Sequence, residues 1–317
     1  MAAAGEPEPG LRIVLREVPE SVPASGPVRL RAVVSGIPAD AQLGVRLVGG
    51  EDPHCVAPER LDEQGSRVRW TCWSTTAALG AHALHGVAVA RRGTDVVARA
   101  ESTAATVTAG DRTAGGLSAR EYRRIRGCGG TDGTVQITFD DYGSWGQVSS
   151  ILSTLRRNRV RGRFFLIGQW AAANPGLVSR IRREGHLVGN HTYSHPNLAA
   201  VSNARVLREI RGGVRASRPR LLRPPYGAGG LTPRLLRLAR STGHELCLWT
   251  VDTRDWERST SAGDIVRKVR YGDAEGPRVA AGGVVLMHLH GRHTAAALQG
   301  VIDAVKVRGL KPEPLPS

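Results

Sequence analysis

Val135-Gln136-Ile137-Thr138-Phe139-Asp140-Asp141 is a short apolar run that ends on two adjacent carboxylates. Runs of the same kind recur at residues 163–167, 186–190, 221–223, 246–251 and 284–287, with helical stretches between them. The first of those stretches carries Val148, Ile151, Leu152 and Leu155, an i, i+3, i+4, i+7 stripe that puts its apolar side chains on one helical face. Asn174-Pro175 and Thr232-Pro233 each supply an N-cap followed by proline at the first helical position, and Gly185 and Gly243 supply the stops. A last helix over residues 294–308 ends at Gly309, and the tail from Lys311 to Ser317 is expected to fray. Strands and helices in alternation imply a parallel sheet covered by helices, either open or closed into a barrel.

Upstream the period changes. Residues 28–33, 43–47 and 67–72 alternate apolar with polar side chains, the mark of half-buried strands, and further short runs lie at 11–15, 85–90 and 96–100. About seven strands are expected there, hence a small all-β sandwich over residues 1–108. The Gly-, Thr- and Arg-rich stretch 109–132 reads as a linker, and residues 133–317 as the second domain. A length of 317 residues accommodates two domains at roughly 150 residues each.

Lys+Arg 44 against Asp+Glu 28 leaves a net charge of +16. Lysine occurs only at Lys268, Lys306 and Lys311, so the excess is arginine, and it is spread along the whole chain. Dispersed arginine describes a solvated surface rather than a reading stripe, so no specific nucleic-acid partner is expected, although such a field attracts polyanions, an anionic wall polymer included. No apolar run reaches the roughly 18–20 residues of a membrane-spanning helix. Cys55, Cys72, Cys128 and Cys247 form no CxxC pair, which argues against structural zinc. They suit two disulfides in an exported protein. Three connectivities are open, and the short separation of Cys55 from Cys72 favours a local pair. The opening Met1-Ala2-Ala3-Ala4-Gly5-Glu6 lacks the charged and apolar regions of a signal peptide.

The second domain's apolar runs end in polar groups: Asp140 and Asp141; His191 with His195; Arg223; Asp252 and Asp255; His288. In parallel β/α architectures the carboxyl ends of the strands converge on one face, so residues distant in sequence meet there. Asp141, His191 and His195 make a divalent-metal set that leaves positions for water and substrate. The His-x-x-x-His spacing would put both rings on one face of a helical turn. Histidines 54, 82, 85, 186, 244, 290 and 293 read as surface or satisfied core groups, with His290 and His293 weak rivals to His288.

Thr138-Phe139-Asp140-Asp141, His191-Thr192-Tyr193-Ser194-His195, Arg223-Pro224-Pro225-Tyr226-Gly227, Asp252-Thr253-Arg254-Asp255-Trp256 and Leu286-Met287-His288 resemble, in order and spacing, the motifs of the polysaccharide deacetylases, the fourth family of carbohydrate esterases. The resemblance covers about residues 133–310. It implies a distorted (β/α)7 barrel that removes acetyl groups from N-acetylated, sometimes O-acetylated, sugar polymers with the help of a divalent metal. Carried over, it makes Asp141, His191 and His195 the metal ligands, Asp140 the general base and His288 the general acid oriented by Asp255. Arg223 would hold Asp140 ionised, the backbone N–H of Tyr226 would stabilise the oxyanion, and Trp256 and Leu286 would line the acetyl pocket. The family usually has glycine directly after the Asp-Asp pair; here Tyr142 stands there, with Gly143 following, a larger side chain able to narrow the groove or redirect the loop.

The function expected is N-deacetylation of a polymer containing N-acetylglucosamine, peptidoglycan or chitin-like. O-acetyl esterase action on xylan or another glycan, and a catalytically silent carbohydrate-binding protein, are the alternatives. Zinc is the first choice of metal, with cobalt, nickel or manganese fitting the same ligands. A secreted or wall-associated monomer is expected.

Overall fold

The computed structural model describes residues 10–23, 27–75, 80–110, 116–128, 133–218 and 220–316. The chain divides into two compact units, Met1–Thr113 and Ala114–Ser317.

The first unit is all β. Its strands are β1 Arg12–Arg16, β2 Ser21–Pro23, β3 Pro27–Ser35, β4 Gln42–Val48, β5 Glu51–Arg60, β6 Arg67–Thr75, β7 Gly80–Arg92, β8 Asp95–Glu101 and β9 Ala105–Gly110. They form a four-stranded sheet, β1-β3-β6-β5, and a five-stranded one, β2-β9-β7-β4 with β8 also on β7. The period-two pattern of β3 turns Val28, Leu30, Ala32 and Val34 into a core shared with Leu47, Leu84, Ala88 and Val107. Strands β2, β5 and β9 were absent from the sequence expectation. Two prolines, Pro53 and Pro58, interrupt the alternation of β5, which is tolerated because β5 is an edge strand with shifts in register between Glu51 and His54 and between Val56 and Glu59. Cys55 and Cys72 lie opposite each other in the β5–β6 ladder and are bonded, the local pair expected from their spacing.

The second unit begins with α1 Ala119–Arg126, inside the stretch read as linker. Ser118 and Glu121 cap it reciprocally, and Leu117 and Ile125 are buried against Leu222, Leu235 and Leu246, so this stretch is part of a core. Of the remaining linker residues, 111–115 and 129–132 lie outside the described residues. Then follow β10 Gln136–Asp141, α2 Trp145–Asn158, β11 Gly162–Leu166, α3 Gly168–Ala173, α4 Pro175–Arg183, β12 Leu187–Asn190, α5 Asn203–Gly212, β13 Leu221–Leu222, α6 Pro233–Ser241, β14 Glu245–Leu246, β15 Val251–Asp252, α7 Ala262–Tyr271, β16 Val284–His288 and α8 Thr294–Val307.

The strands form one seven-stranded sheet, β14-β13-β12-β11-β10-β16-β15, whose described ladders are all parallel. Every residue of β10 and β11 is buried, as expected of strands covered on both faces, and Val148, Ile151, Leu152 and Leu155 of α2 pack against them. The single run expected at 246–251 is two strands at opposite edges of the sheet: Cys247 to Thr250 lie between them, and the carbonyls of Cys247 and Leu248 accept from Arg223 at the site. Helices α4 and α6 start at Pro175 and Pro233 as read; Thr232 caps Leu235, whereas the Asn174 amide donates to the Trp170 carbonyl instead. The tail is docked rather than frayed. Val135 N–H donates to Lys311 O at 2.7 Å, Arg161 N–H to Glu313 O at 2.8 Å, and the Glu313 carboxylate meets Arg163 at 2.8 Å.

Candidate metal centre and catalytic site

The polar residues that end the strands do gather at one rim. Asp141 is the last residue of β10, with φ 74, and is 8 % exposed. Its Oδ1 lies 3.2 Å from Nε2 of His191 and 3.2 Å from Nε2 of His195. His191 follows β12 and donates its Nδ1–H to the Arg223 carbonyl at 2.8 Å, which fixes the tautomer and turns the Nε2 lone pair toward Asp141. Oδ1 is buried and has no hydrogen-bond partner. A buried carboxylate oxygen this close to two imidazole nitrogens without a hydrogen bond to either is unfavourable unless a cation sits between them, so the donor set fits a divalent metal. Among the described residues this trio alone has metal-site geometry.

The two rings are not presented by a helical turn. Residues 191–195 form a loop in which Thr192 and His195 are left-handed, with φ 66 and φ 62. Pro196 disfavours helix at the residue before it. The loop is held from below: Asn190 Oδ1 accepts from Thr192 N–H at 2.8 Å, and Glu209 of α5 accepts from the Tyr193 and Ser194 backbone N–H groups at 3.1 and 2.8 Å. Burial would raise the Glu209 pKa, but those bonds, the Ser194 hydroxyl and the Arg205 charge hold it below its ordinary value.

Asp140, 2 % exposed, takes a 2.6 Å bond from Nη1 of Arg223, which is fully buried. That guanidinium also donates to Thr138 Oγ1 at 2.8 Å and Leu248 O at 3.0 Å, lies over the Phe165 ring at 4.0 Å, and touches Cys247 Sγ at 3.3 Å. Cys247 is bonded to Cys128. Its surroundings therefore satisfy a charge that water cannot reach.

His288 is the register partner of Asp140 in the β10–β16 ladder, so the two side chains rise on the same side of the sheet. Its Nδ1 donates to Asp255 Oδ1 at 2.8 Å, and its backbone N–H to Oδ2 at 2.7 Å; the Thr294 hydroxyl also donates to Oδ2. A Cβ on Gly291 would stand 2.7 Å from that oxygen, so only glycine lets the chain pass. Burial opposes the imidazolium, but the bond to Asp255 and the charges of Asp255, Asp140 and Asp141 outweigh it and push His288 up to about 9. Asp252 instead accepts from the Arg254 N–H at 2.9 Å, and burial raises its pKa.

Leu286 is buried, whereas Trp256 and Tyr226 are exposed. Tyr226 has φ 59, and its ring stands edge-on to His195 at 4.8 Å. The positive φ angles of Asp141, Thr192, His195, Tyr226 and Arg254 concentrate backbone strain in the loops that follow the strands, as at many functional sites. His186, in contrast, is a core histidine but not the satisfied one expected: its Nδ1 accepts from Gly162 N–H, its buried Nε2 has no hydrogen-bond partner, and burial lowers its pKa to about 4.

Of two further neighbours of the site, Glu209 has no place in the sequence reading, and His290 is read there only as a surface or core group and a weak rival to His288. Glu209 occupies the buried stripe of α5 beside Val206 and Ile210, and a carboxylate at an apolar position is a signal. His290 donates from Nε2 to Asp141 Oδ2 at 2.9 Å; the His-x-His alternation at a strand end, which aims both rings the same way, could have revealed it.

The family model for polysaccharide deacetylase matches residues 129–247. A chitooligosaccharide deacetylase from Bradyrhizobium sp. is 33% identical over 214 residues, which cover 60% of this chain and 94% of that protein. The peptidoglycan-N-acetylglucosamine deacetylase PgdA of Listeria monocytogenes is 35% identical over 185 residues, 56% of this chain, and the match spans only 37% of that longer protein. A family 4 carbohydrate esterase from Streptomyces lividans, solved in complex with acetate, is 33% identical and aligns with a TM-score of 0.49 over 58% of this chain and 93% of that one. This chain belongs to the polysaccharide deacetylase family.

Proposed function

We propose that the protein is a divalent-metal-dependent deacetylase that hydrolyses the N-acetyl groups of a polymer containing N-acetylglucosamine, peptidoglycan or a chitin-like chain. The observation that carries the reading is the orphaned Oδ1 of Asp141 between two imidazole nitrogens, one strand position from the Asp140–His288 pair. Asp141, His191 and His195 would hold the cation, zinc in the first instance, with cobalt, nickel or manganese compatible. When bound, that cation supplies Lewis acidity, polarising the acetyl carbonyl and acidifying the attacking water.

The chain's own groups do the rest. Asp140 takes the proton from the water as its oxygen bonds to the carbonyl carbon, and Arg223 supplies the counter-charge that the buried carboxylate needs. The backbone N–H of Tyr226 donates to the developing oxyanion. As the carbon–nitrogen bond breaks, His288 gives its Nε2 proton to the departing amine while Nδ1–H stays with Asp255. The bond to Asp255 favours the imidazolium, the form an acid requires. Trp256 and Leu286 line the acetyl pocket. The products are acetate and a free amine on the sugar.

The seven-stranded sheet is assigned as a distorted (β/α)7 barrel, and residues 1–108 as an immunoglobulin- or fibronectin-like β-sandwich that serves as an accessory module. Two disulfides and the basic surface support a secreted or wall-associated protein, working as a monomer among anionic polymers. The similarity to a peptidoglycan-N-acetylglucosamine deacetylase and to a chitooligosaccharide deacetylase supports the glycan class. Acetate release from N-acetylated chitooligosaccharides and peptidoglycan, set against acetylated xylan, tests the substrate. Release from the N-acetylated polymers is expected, and release from xylan alone would assign the esterase reading instead.

A further inference from the structure

The two oxygens of Asp141 have different surroundings. Oδ1 faces the Nε2 atoms of His191 and His195, whereas Oδ2 takes a hydrogen bond from His290 Nε2 at 2.9 Å. A carboxylate gripped at one oxygen cannot rotate about its Cβ–Cγ bond, so the other oxygen keeps its aim. His290 is itself braced, because the ring of Tyr142 stacks on it with centroids 5.0 Å apart and planes 28° from parallel.

The backbone explains how two loops come so close. β10 and β16 are in register at Asp140 and His288, and Leu289 N–H donates to Asp140 O at 3.0 Å, one step beyond the ladder. Gly143 then presses on Leu289, where a Cβ would stand 3.0 Å from the Leu289 Cβ and 3.2 Å from its carbonyl oxygen. That close approach carries Tyr142 over His290. Tyr142 remains half exposed, so the stack rather than burial accounts for where its ring lies.

We infer that His290, backed by Tyr142, is a positioning residue for the cation site: it clamps Oδ2 of Asp141 so that Oδ1 stays turned toward His191 and His195. The inference rests on the metal-site reading above. It gives Tyr142 a structural duty at the position where glycine usually stands.

The test uses the full chain, stripped by a chelator and titrated with Zn2+ in competition with a chromophoric chelator, with thermal midpoints of the metal-free proteins in parallel. His290→Leu is expected to weaken Zn2+ binding about 10- to 100-fold, the range for losing a partner that orients a metal ligand. His290→Gln, whose amide can still donate to Oδ2, should recover most of that loss, and Tyr142→Ala should lose a smaller factor with a metal-free midpoint near wild type. Wild-type affinity in His290→Leu would overturn the clamp while leaving the metal site standing, as would failure of His290→Gln to improve on His290→Leu. A wild-type chain that takes up no Zn2+ would remove the metal site itself, and the clamp with it.

Discussion

Arg223 and Asp140 form an ion pair 2.6 Å long in which neither side chain is more than 3% exposed. Such a pair is held by geometry as much as by charge: Thr138, the carbonyl of Leu248 and the face of Phe165 occupy the rest of the guanidinium. Removing one partner strands the other. Arg223→Met is therefore expected to cost about 3–5 kcal/mol, the usual penalty for an uncompensated buried charge. Denaturant titration of the second unit checks this, and a loss under 1 kcal/mol would show that the pair is not the dominant contact.

The proposed mechanism gives the neighbours Asp140 and Asp141 separate duties. Asp140→Asn should abolish acetate release while leaving one equivalent of metal bound, whereas His191→Ala should lose the metal. Elemental analysis alongside an acetate assay distinguishes the two; loss of metal from Asp140→Asn would merge roles that are kept apart here.

The raised pKa of His288 has a direction in stability. Because the folded value is about 9 against an ordinary 6.5, the contribution is complete below pH 6.5 and is lost as pH rises through about 9. The chelated wild type should therefore weaken between those limits by on the order of 3 kcal/mol at most. Asp255→Asn, which leaves burial unopposed, should show a flatter profile and should move the alkaline fall of activity to lower pH. Stability profiles that coincide for the two proteins would contradict the assignment of Asp255 as the cause.

Glu209 supports the loop that carries His195 without touching the trio. Glu209→Ala leaves the Tyr193 and Ser194 N–H groups without their acceptor, a loss of about 1–3 kcal/mol. Weaker metal binding should accompany it, because His195 loses its support; unchanged stability and affinity would show that the loop holds itself.

The Cys128–Cys247 disulfide joins residues 119 positions apart, against 17 for Cys55–Cys72. In the chain-entropy account the longer closure contributes about 5 kcal/mol and the shorter about 3. Replacing both Cys128 and Cys247 with alanine should also disturb Arg223, whose donors reach Cys247, so thermal midpoint and acetate release should fall together.

Much of this was legible in the sequence, for a geometric reason. Buried parallel strands write themselves as apolar runs, and their carboxyl ends converge, so Asp140, Asp141, His191, Arg223, Asp255 and His288 could be read as one site before any distance was known. What escaped reading depends on backbone rather than side chains. The run at 246–251 is apolar but for Thr250, and nothing in it announces that Cys247 and Leu248 turn their carbonyls toward Arg223. The positive φ of Thr192 and His195 replaces the expected helical turn with a loop that delivers the same two rings. Residues 311–316 look like a frayed tail because their sheet-like contacts are made by backbone atoms, to which composition is blind.

The central claim is that one cation held by Asp141, His191 and His195 serves the chemistry of Asp140 and His288. Acetate release from N-acetylglucosamine oligomers, followed in the same sample before chelation, after chelation and after return of one equivalent of Zn2+, addresses it directly. Full activity, its loss and its recovery are predicted in that order. Release that continues undiminished in the chelated protein would contradict the account.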